Sequence, residues 1–418
     1  MKNYNLVNPR MGTHNAFEYS NGNIYPVCAV PRGLNFFTIQ TDGRTSWFYS
    51  PYSTVFQGIR LTHMPSPWLG DYGKLLIYGT REDMVEQRYW GSYDNENVIF
   101  EPAYINAYVR RDRYRVEVTP SDTAAIIRFT FDREGTTNRI MIVPEEYDYE
   151  RDGDALIIRT RQCATYKYRD GKGVVEYIRI LPSVKYTLTE SDCGLAIETG
   201  ADVIELKIAT SFISDEQAKL NFDREVADIT FEELKESTEK IWCEKLSKIE
   251  VSDPDEKKLS TFYSCLYRAF LWPRKFYERD ALGNPVHLNT ATFKPERGYL
   301  YTDNGFWDTY RTLYPLLSII DRASYAEMAE GYLGYYNDTG WLPKWVCPVN
   351  ANCMPGMLIE ATMSDAITKE IVEGELAEKI FRAMLKDGEY ASKVPGEGRV
   401  ALEEYRKYGY VPDRKSVV

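Results

Sequence analysis

The hydrophobic period of this chain changes once along its length, and that change limits what it can fold into. From about residue 23 to 214, segments such as AAIIRFTFD, NRIMIVPE, ALIIRTRQ, GVVEYIRILPSVKYTLT and DVIELKIATSFIS alternate apolar with polar residues or run rich in β-branched types. Gly, Asn, Asp and Pro clusters separate them. Residues two apart share one face of a strand, so each segment buries one face, and the set predicts an antiparallel sandwich or large sheet over residues 1–222. Around residue 222 the spacing becomes helical. FDREVADITFEELKESTEKIWCEKLSKIEV places Val226, Ile229, Phe231, Leu234, Ile241, Trp242 and Leu246 at three- and four-residue steps, which predicts a helical linker over 223–255.

Beyond the linker come KKLSTFYSCLYRAFLWP, WDTYRTLYPLLSII, SYAEMAEGYLGYYN, MLIEATMSDAITKEIV and EGELAEKIFRAMLKDG, joined by loops rich in Gly, Pro, Asp and Asn. Residues 256–418 therefore read as all-α. Successive helices of similar length, heavy in Tyr, Trp and Leu, suggest an α/α toroid rather than a four-helix bundle. The expected fold class is multidomain, β then α: an N-terminal antiparallel β-sandwich followed by an incomplete (α/α)6 toroid. Only about six helices are counted, and a closed double ring of six hairpins has twice as many.

Charge and composition exclude several functions. The 51 basic and 62 acidic side chains give a net charge of −11, the wrong sign for neutralising phosphates, so nucleic acid is not an expected partner. The three histidines, His14, His63 and His287, are scattered and form no paired-His zinc motif. Any catalysis must then rest on carboxylates. Seven cysteines, odd in number and free of CxxC pairs, read as reduced core residues rather than a disulfide framework. MKNYNLVNPRMG has no apolar leader segment and no run of about 18 apolar residues occurs, so a cytoplasmic protein with no membrane partner is expected. Neither a P-loop nor a GxSxG elbow is present.

The densest chemistry lies in YLYTDNGFWDTYRTLYPLL, residues 299–317. Asp308 follows Trp307 at a helix start, where a carboxylate serves equally as a cap. With Arg311 one turn on, the same residues suit a sugar: an aromatic face for C–H surfaces, and carboxylate with guanidinium for vicinal hydroxyls. A second cluster, GWLPKWVCPVNANCM, holds Lys344 and Trp345 in a loop that either plugs the helical domain or lines a pocket. In LTHMPSPWLGDYG, His63 and Trp68 stand in a turn-rich stretch that either packs against the helices or reaches into a pocket.

At these segments the sequence resembles glycoside hydrolase family 92, the exo-acting α-mannosidases. The ordered motifs are Gly12-Thr13, the PRGL segment from Pro31 to Leu34, GIRLTHMPSPWLGDYG, FWDTYRTLYPLL, GWLPKW and the helix holding Asp365-Ala366. The resemblance implies a β-sandwich followed by an (α/α)6 barrel, with the site at their junction. It also implies calcium-dependent, inverting hydrolysis of terminal α-mannosides. In the family the acid, the base and most calcium ligands belong to the second half of the barrel, which the resemblance places after Val418. An inverting glycosidase needs two carboxyls roughly 6.5 to 9.5 Å apart, so no catalytic or metal-ligating residue is inherited here.

The expectation is an amino-terminal portion of such an enzyme, inactive alone and completed by a C-terminal polypeptide, with a mannose-containing glycan as ligand. Trp307 and Asp308 are the implied sugar contacts and Arg311 the orienter of Asp308; Lys344, Trp345, His63 and Trp68 are implied pocket wall. Glu360 and Asp365 inherit no role. Two alternatives stay open: a non-catalytic carbohydrate-binding protein, and another toroid glycosidase using Asp303 and Asp308.

Overall fold

The computed structural model describes residues 2–14, 22–41, 43, 47–63, 67, 71–73, 75–81, 91–132, 137–162, 173–351, 353, 356–394 and 396–411. The chain forms two compact units, Met1–Leu271 and Trp272–Val418.

Two antiparallel sheets make up most of the first unit. The strands of the larger run in the order Tyr147–Asp152, Ala155–Gln162, Val174–Pro182, Val203–Ser211, Ala124–Phe131, Tyr114–Pro120, Tyr104–Val109 and Ile99–Glu101. The smaller has the order Phe36–Gln40, Gly58–Thr62, Leu76–Thr80, Asn138–Val143, Gly194–Thr199 and Thr187–Ser191. The alternation in VVEYIRILP appears directly as burial of every second residue. The sheets face each other: the amide of Gly79 in the smaller donates to the Tyr114 hydroxyl of the larger at 3.1 Å. A Cβ at Gly79 would meet the Tyr114 ring at 3.0 Å, so glycine permits that approach. The sandwich expected from the alternation is thus present.

Its helices behave differently from a linker. Helix α1 (Asp215–Glu225) is capped by Ser214, and α2 (Phe231–Leu246) starts with a capping box in which Thr230 and Glu233 satisfy each other's amides. The apolar stripe of this region, Phe222, Val226, Phe231 and Leu234, packs with Tyr104, Ala124, Ile126 and Ala209 of the larger sheet. Each such side chain contributes about 1.5–3 kcal/mol when buried. The Trp242 indole donates to the Ala29 carbonyl at 2.6 Å, and Thr238 donates to that of Pro120 at 2.7 Å. Helix α3 (Glu256–Ala269), expected in the second domain, joins the same unit, its Tyr267 hydroxyl donating to the Val27 carbonyl at 2.6 Å. The compact unit thus runs on past 222 and 255 to Leu271, with the helical stripe packed on the larger sheet as an outer layer of its core.

The second unit is not all-α. It opens with a three-stranded sheet, Tyr277–Arg279, Pro285–Asn289 and Lys294–Arg297. The Asp280 carboxylate accepts from the amides of Leu282 and Asn284, both at 2.9 Å, and this turn reverses the chain. The helices then follow: α4 (Phe306–Thr309), α5 (Leu313–Ile320), α6 (Arg322–Thr339), α7 (Ile359–Thr368), α8 (Gly374–Glu389) and α9 (Leu402–Tyr408). Tyrosines join them, Tyr314 to Tyr332 through their hydroxyls at 2.8 Å and Tyr325 to the Thr362 carbonyl at 2.7 Å. Gly340 ends α6 in the left-handed conformation, φ +82°. Cys28 and Cys347 are buried as expected of core cysteines, but Cys265 is exposed. Among the described residues no helix is long and apolar enough to cross a membrane.

Candidate functional site

The site is built on two very short ladders of the second unit. Strand Arg274–Lys275 pairs with Tyr301–Thr302, and Asn304–Gly305 pairs with Trp345–Cys347. Between them stands Asp303, a non-glycine residue at φ +58°, a conformation that costs on the order of 1 kcal/mol. Its carboxylate accepts from Arg274 Nε at 2.7 Å, and both side chains are fully buried. Asp303 is thereby withdrawn from the alternative in which Asp303 and Asp308 act together as glycosidase carboxylates. A carboxyl sealed against a guanidinium reaches no glycosidic oxygen.

From Gly305 the chain enters α4. Phe306 turns inward and meets Tyr332 edge-on, ring centroids 4.9 Å apart. Trp307 turns outward, 39% exposed, and Asp308 and Arg311 are also exposed. No side-chain cap forms at the helix start: the Thr309 hydroxyl, not the Asp308 carboxylate, ties the turn down, lying 3.0 Å from the Gly305 carbonyl. Among the described residues Asp308 makes no hydrogen bond or ion pair. Desolvation pushes its carboxyl above the usual range, and the Arg311 charge opposes that shift. Arg311 acts on Asp308 only through that charge. Its guanidinium lies over Trp307, 4.7 Å from the ring centroid, and over Tyr310, at 4.9 Å.

The second cluster is brought to the first by the ladder, in which Gly305 stands opposite Trp345. Asn350 Oδ1 accepts from the amides of Lys344 and Trp345 at 3.3 Å, and its Nδ2 donates to the Gly396 carbonyl at 2.7 Å. Lys344 is buried at the edge of a cleft of about 410 Å³ whose lining includes Ser392, Glu397 and Arg399. Burial pushes its ammonium below the usual lysine range, against the pull of Glu397 and Asp387.

Sequence reasoning missed Glu397 and Asp387, the carboxylates whose charges act on Lys344. Asp387 has no exposed surface; its Oδ2 accepts from the Leu342 amide at 3.3 Å, and burial pushes its carboxyl up to about 7, with Glu360 adding to the shift. Glu360 pairs with Arg399 at 2.5 Å. One local signal existed: Asp387 lies in the last turn of α8, the end of a helix where a carboxylate is electrostatically disfavoured.

The remaining candidates belong to the first unit. His63 is wholly buried, its Nε2 3.3 Å from Glu176 Oε1 and its ring stacked on Tyr72. It presents no open face for a ligand, so the structure gives it the surroundings of a core residue. Trp68 falls outside the described residues.

Two family models match the chain: the glycosyl hydrolase family 92 N-terminal domain over residues 6–177, and the glycosyl hydrolase family 92 catalytic domain over residues 217–417. A search of curated proteins finds no match. Among solved structures, the family GH92 inverting mannosidase of Bacteroides thetaiotaomicron VPI-5482 is 28% identical, with a TM-score of 0.90, over 98% of this chain and 58% of that one. A family GH92 α-mannosidase of Bacteroides thetaiotaomicron, solved with mannoimidazole, is 23% identical, with a TM-score of 0.85, over 99% of this chain and 58% of that one. The chain thus spans less than two thirds of the length of the structures it matches.

Proposed function

The chain belongs to glycoside hydrolase family 92, and from that membership we propose that it supplies sugar-pocket residues to an inverting exo-α-mannosidase acting on terminal α-mannosides of glycans. On this reading its helices form part of the family's (α/α)6 barrel. The observation that carries the reading is the juxtaposition at α4: an outward-facing indole, a carboxylate without a hydrogen-bond partner among the described residues and a guanidinium over the indole, on a helix that starts from the ladder in which Gly305 faces Trp345.

Each group has a distinct task. The Trp307 face packs against the apolar C–H face of a pyranose. Asp308, free to accept, takes the hydrogen bonds of adjacent sugar hydroxyls, and such charge-assisted bonds are about twice as strong as neutral ones. Arg311, lying on Trp307, holds the ring in place and donates to the same hydroxyls. Lys344 and Trp345 close the pocket wall. Proton transfer is assigned to no residue described here, since inversion requires a separate acid and base flanking a water.

Calcium belongs to this proposal only as a requirement of the family. Among the described residues no group of three His, Cys, Asp or Glu side chains could hold a metal ion, so no step is routed through one. The experiment is a mannose titration followed by intrinsic tryptophan fluorescence, paired with an aryl α-mannoside assay in calcium. Saturable quenching that disappears in Asp308→Ala supports the reading, and its absence in the unaltered chain refutes it. Turnover above background would move the acid and base onto this chain's own carboxylates.

A further inference from the structure

The Arg274–Asp303 pair has no task in the sugar chemistry just described, and it is an expensive thing to bury. Arg274 Nε and Nη2 both lie 2.7 Å from the same oxygen of Asp303, and neither side chain is exposed. Burying an ion pair is a weak way to stabilise a fold, since apolar residues of similar volume pack there as well or better. What a guanidinium adds is direction, because its planar fork fixes the carboxylate it holds.

That direction matters at Asp303. The residue is the single link between strand Tyr301–Thr302, whose partner strand contains Arg274, and strand Asn304–Gly305, whose partner contains Trp345. Its left-handed backbone, φ +58°, sets the angle at which the chain leaves the first ladder, enters the second and launches α4. Within six residues of that hinge lie Phe306, which is buried, and Trp307 and Asp308, which are not.

We propose that Arg274, acting through Asp303, is a positioning residue that fixes the Trp307, Asp308 and Trp345 array in the geometry that receives a sugar. The inference rests on the mannoside reading of that array. It differs from a purely structural role in what it moves: the array and the affinity, not only the melting temperature.

The test labels the full chain with fluorotryptophan and assigns the fluorine resonances of Trp307 and Trp345 from Trp307→Phe and Trp345→Phe. Two variants loosen the pair. Arg274→Lys keeps the charge but loses the fork. Asp303→Gly keeps the left-handed turn, which glycine adopts without penalty, but loses the carboxylate. Both should shift the Trp307 and Trp345 resonances while leaving the other tryptophans and the far-ultraviolet dichroism in place. Mannose affinity should fall by about tenfold or more, the loss expected when a binding array is misplaced. Asp303→Asn, which tolerates the backbone and keeps an acceptor oxygen, should recover part of both signals; if Arg274→Lys fails to fold, the two Asp303 variants make the same comparison. Variants that melt earlier with unmoved resonances and unchanged affinity overturn the proposal. If the unaltered chain binds no mannose, the mannoside reading falls, while moved resonances would still establish the positioning role.

Discussion

Gly305 and Trp345 stand opposite each other on a two-residue ladder, so close that a Cβ at 305 would lie 2.3 Å from the indole nitrogen. Gly305 has an ordinary φ of −99°, so space and not backbone freedom demands glycine there. Gly305→Ala should therefore push the indole off the strand and cost about 1–3 kcal/mol, the usual range for overpacking. Thermal melting together with the wavelength of tryptophan emission measures this; an unmoved melt and spectrum would mean that the ladder adjusts freely.

Asp308→Ala should remove sugar binding at almost no cost to the fold. Since no cap hydrogen bond is made, the stability change should stay within about 0.5 kcal/mol, less than the roughly 1 kcal/mol of a lost cap. Denaturant melts and the mannose titration are read on the same preparations. Unchanged affinity with a lowered melt would return Asp308 to the role of a helix-start residue.

Asp387 makes a pH prediction with a definite sign. An aspartate in the unfolded chain titrates near ~3.9, and burial raises the folded value to about 7. The folded state holds this proton more tightly, so the contribution is complete below ~pH 4 and is lost as pH rises through about 7. Between those limits the unaltered chain should lose stability relative to Asp387→Asn by on the order of a few kcal/mol. Denaturant melts at a series of pH values check it, and parallel curves for the two proteins would refute it.

The unit boundary predicts fragment behaviour. A fragment of residues 1–271 should melt cooperatively. One of residues 1–222 should not, because it lacks Val226, Phe231 and Leu234, which cover Tyr104, Ala124 and Ile126, and leaves an apolar face open. Amide dispersion and hydrophobic dye binding compare the two. A shorter fragment that folds as well as the longer would show α2 and α3 to be dispensable.

The strands were readable because each carries its own evidence: in VVEYIRILP the alternation is the burial pattern. The packing of the helices was not, because a stripe such as Phe231, Leu234, Trp242 and Leu246 shows that a helix buries one face but not what it buries it against. The site divides the same way. Trp307, Asp308 and Arg311 are close in sequence and stand out as chemistry, whereas Arg274 and Asp303 are 29 residues apart and meet only through tertiary structure. Asp387 stands beside Lys386 near a helix end, and its burial comes only from the fold.

Strand Tyr147–Asp152 is the outermost of one side of the larger sheet among the described residues, and its last four residues alternate little in exposure: nearly all are open and charged. Arg159 on the neighbouring strand gathers Asp148 at 3.1 Å, Glu150 at 2.5 Å and Asp215 at 2.6 Å. The unpaired amides and carbonyls of such a margin are a template on which another chain can add itself. Here an arriving strand would have to strip water from a fan of carboxylates already engaged by one guanidinium. The same fan that joins two strands thereby guards the sheet against fibril growth, and exchanging Asp148 and Glu150 for Val and Thr would convert a protected rim into a nucleus for intermolecular β-structure.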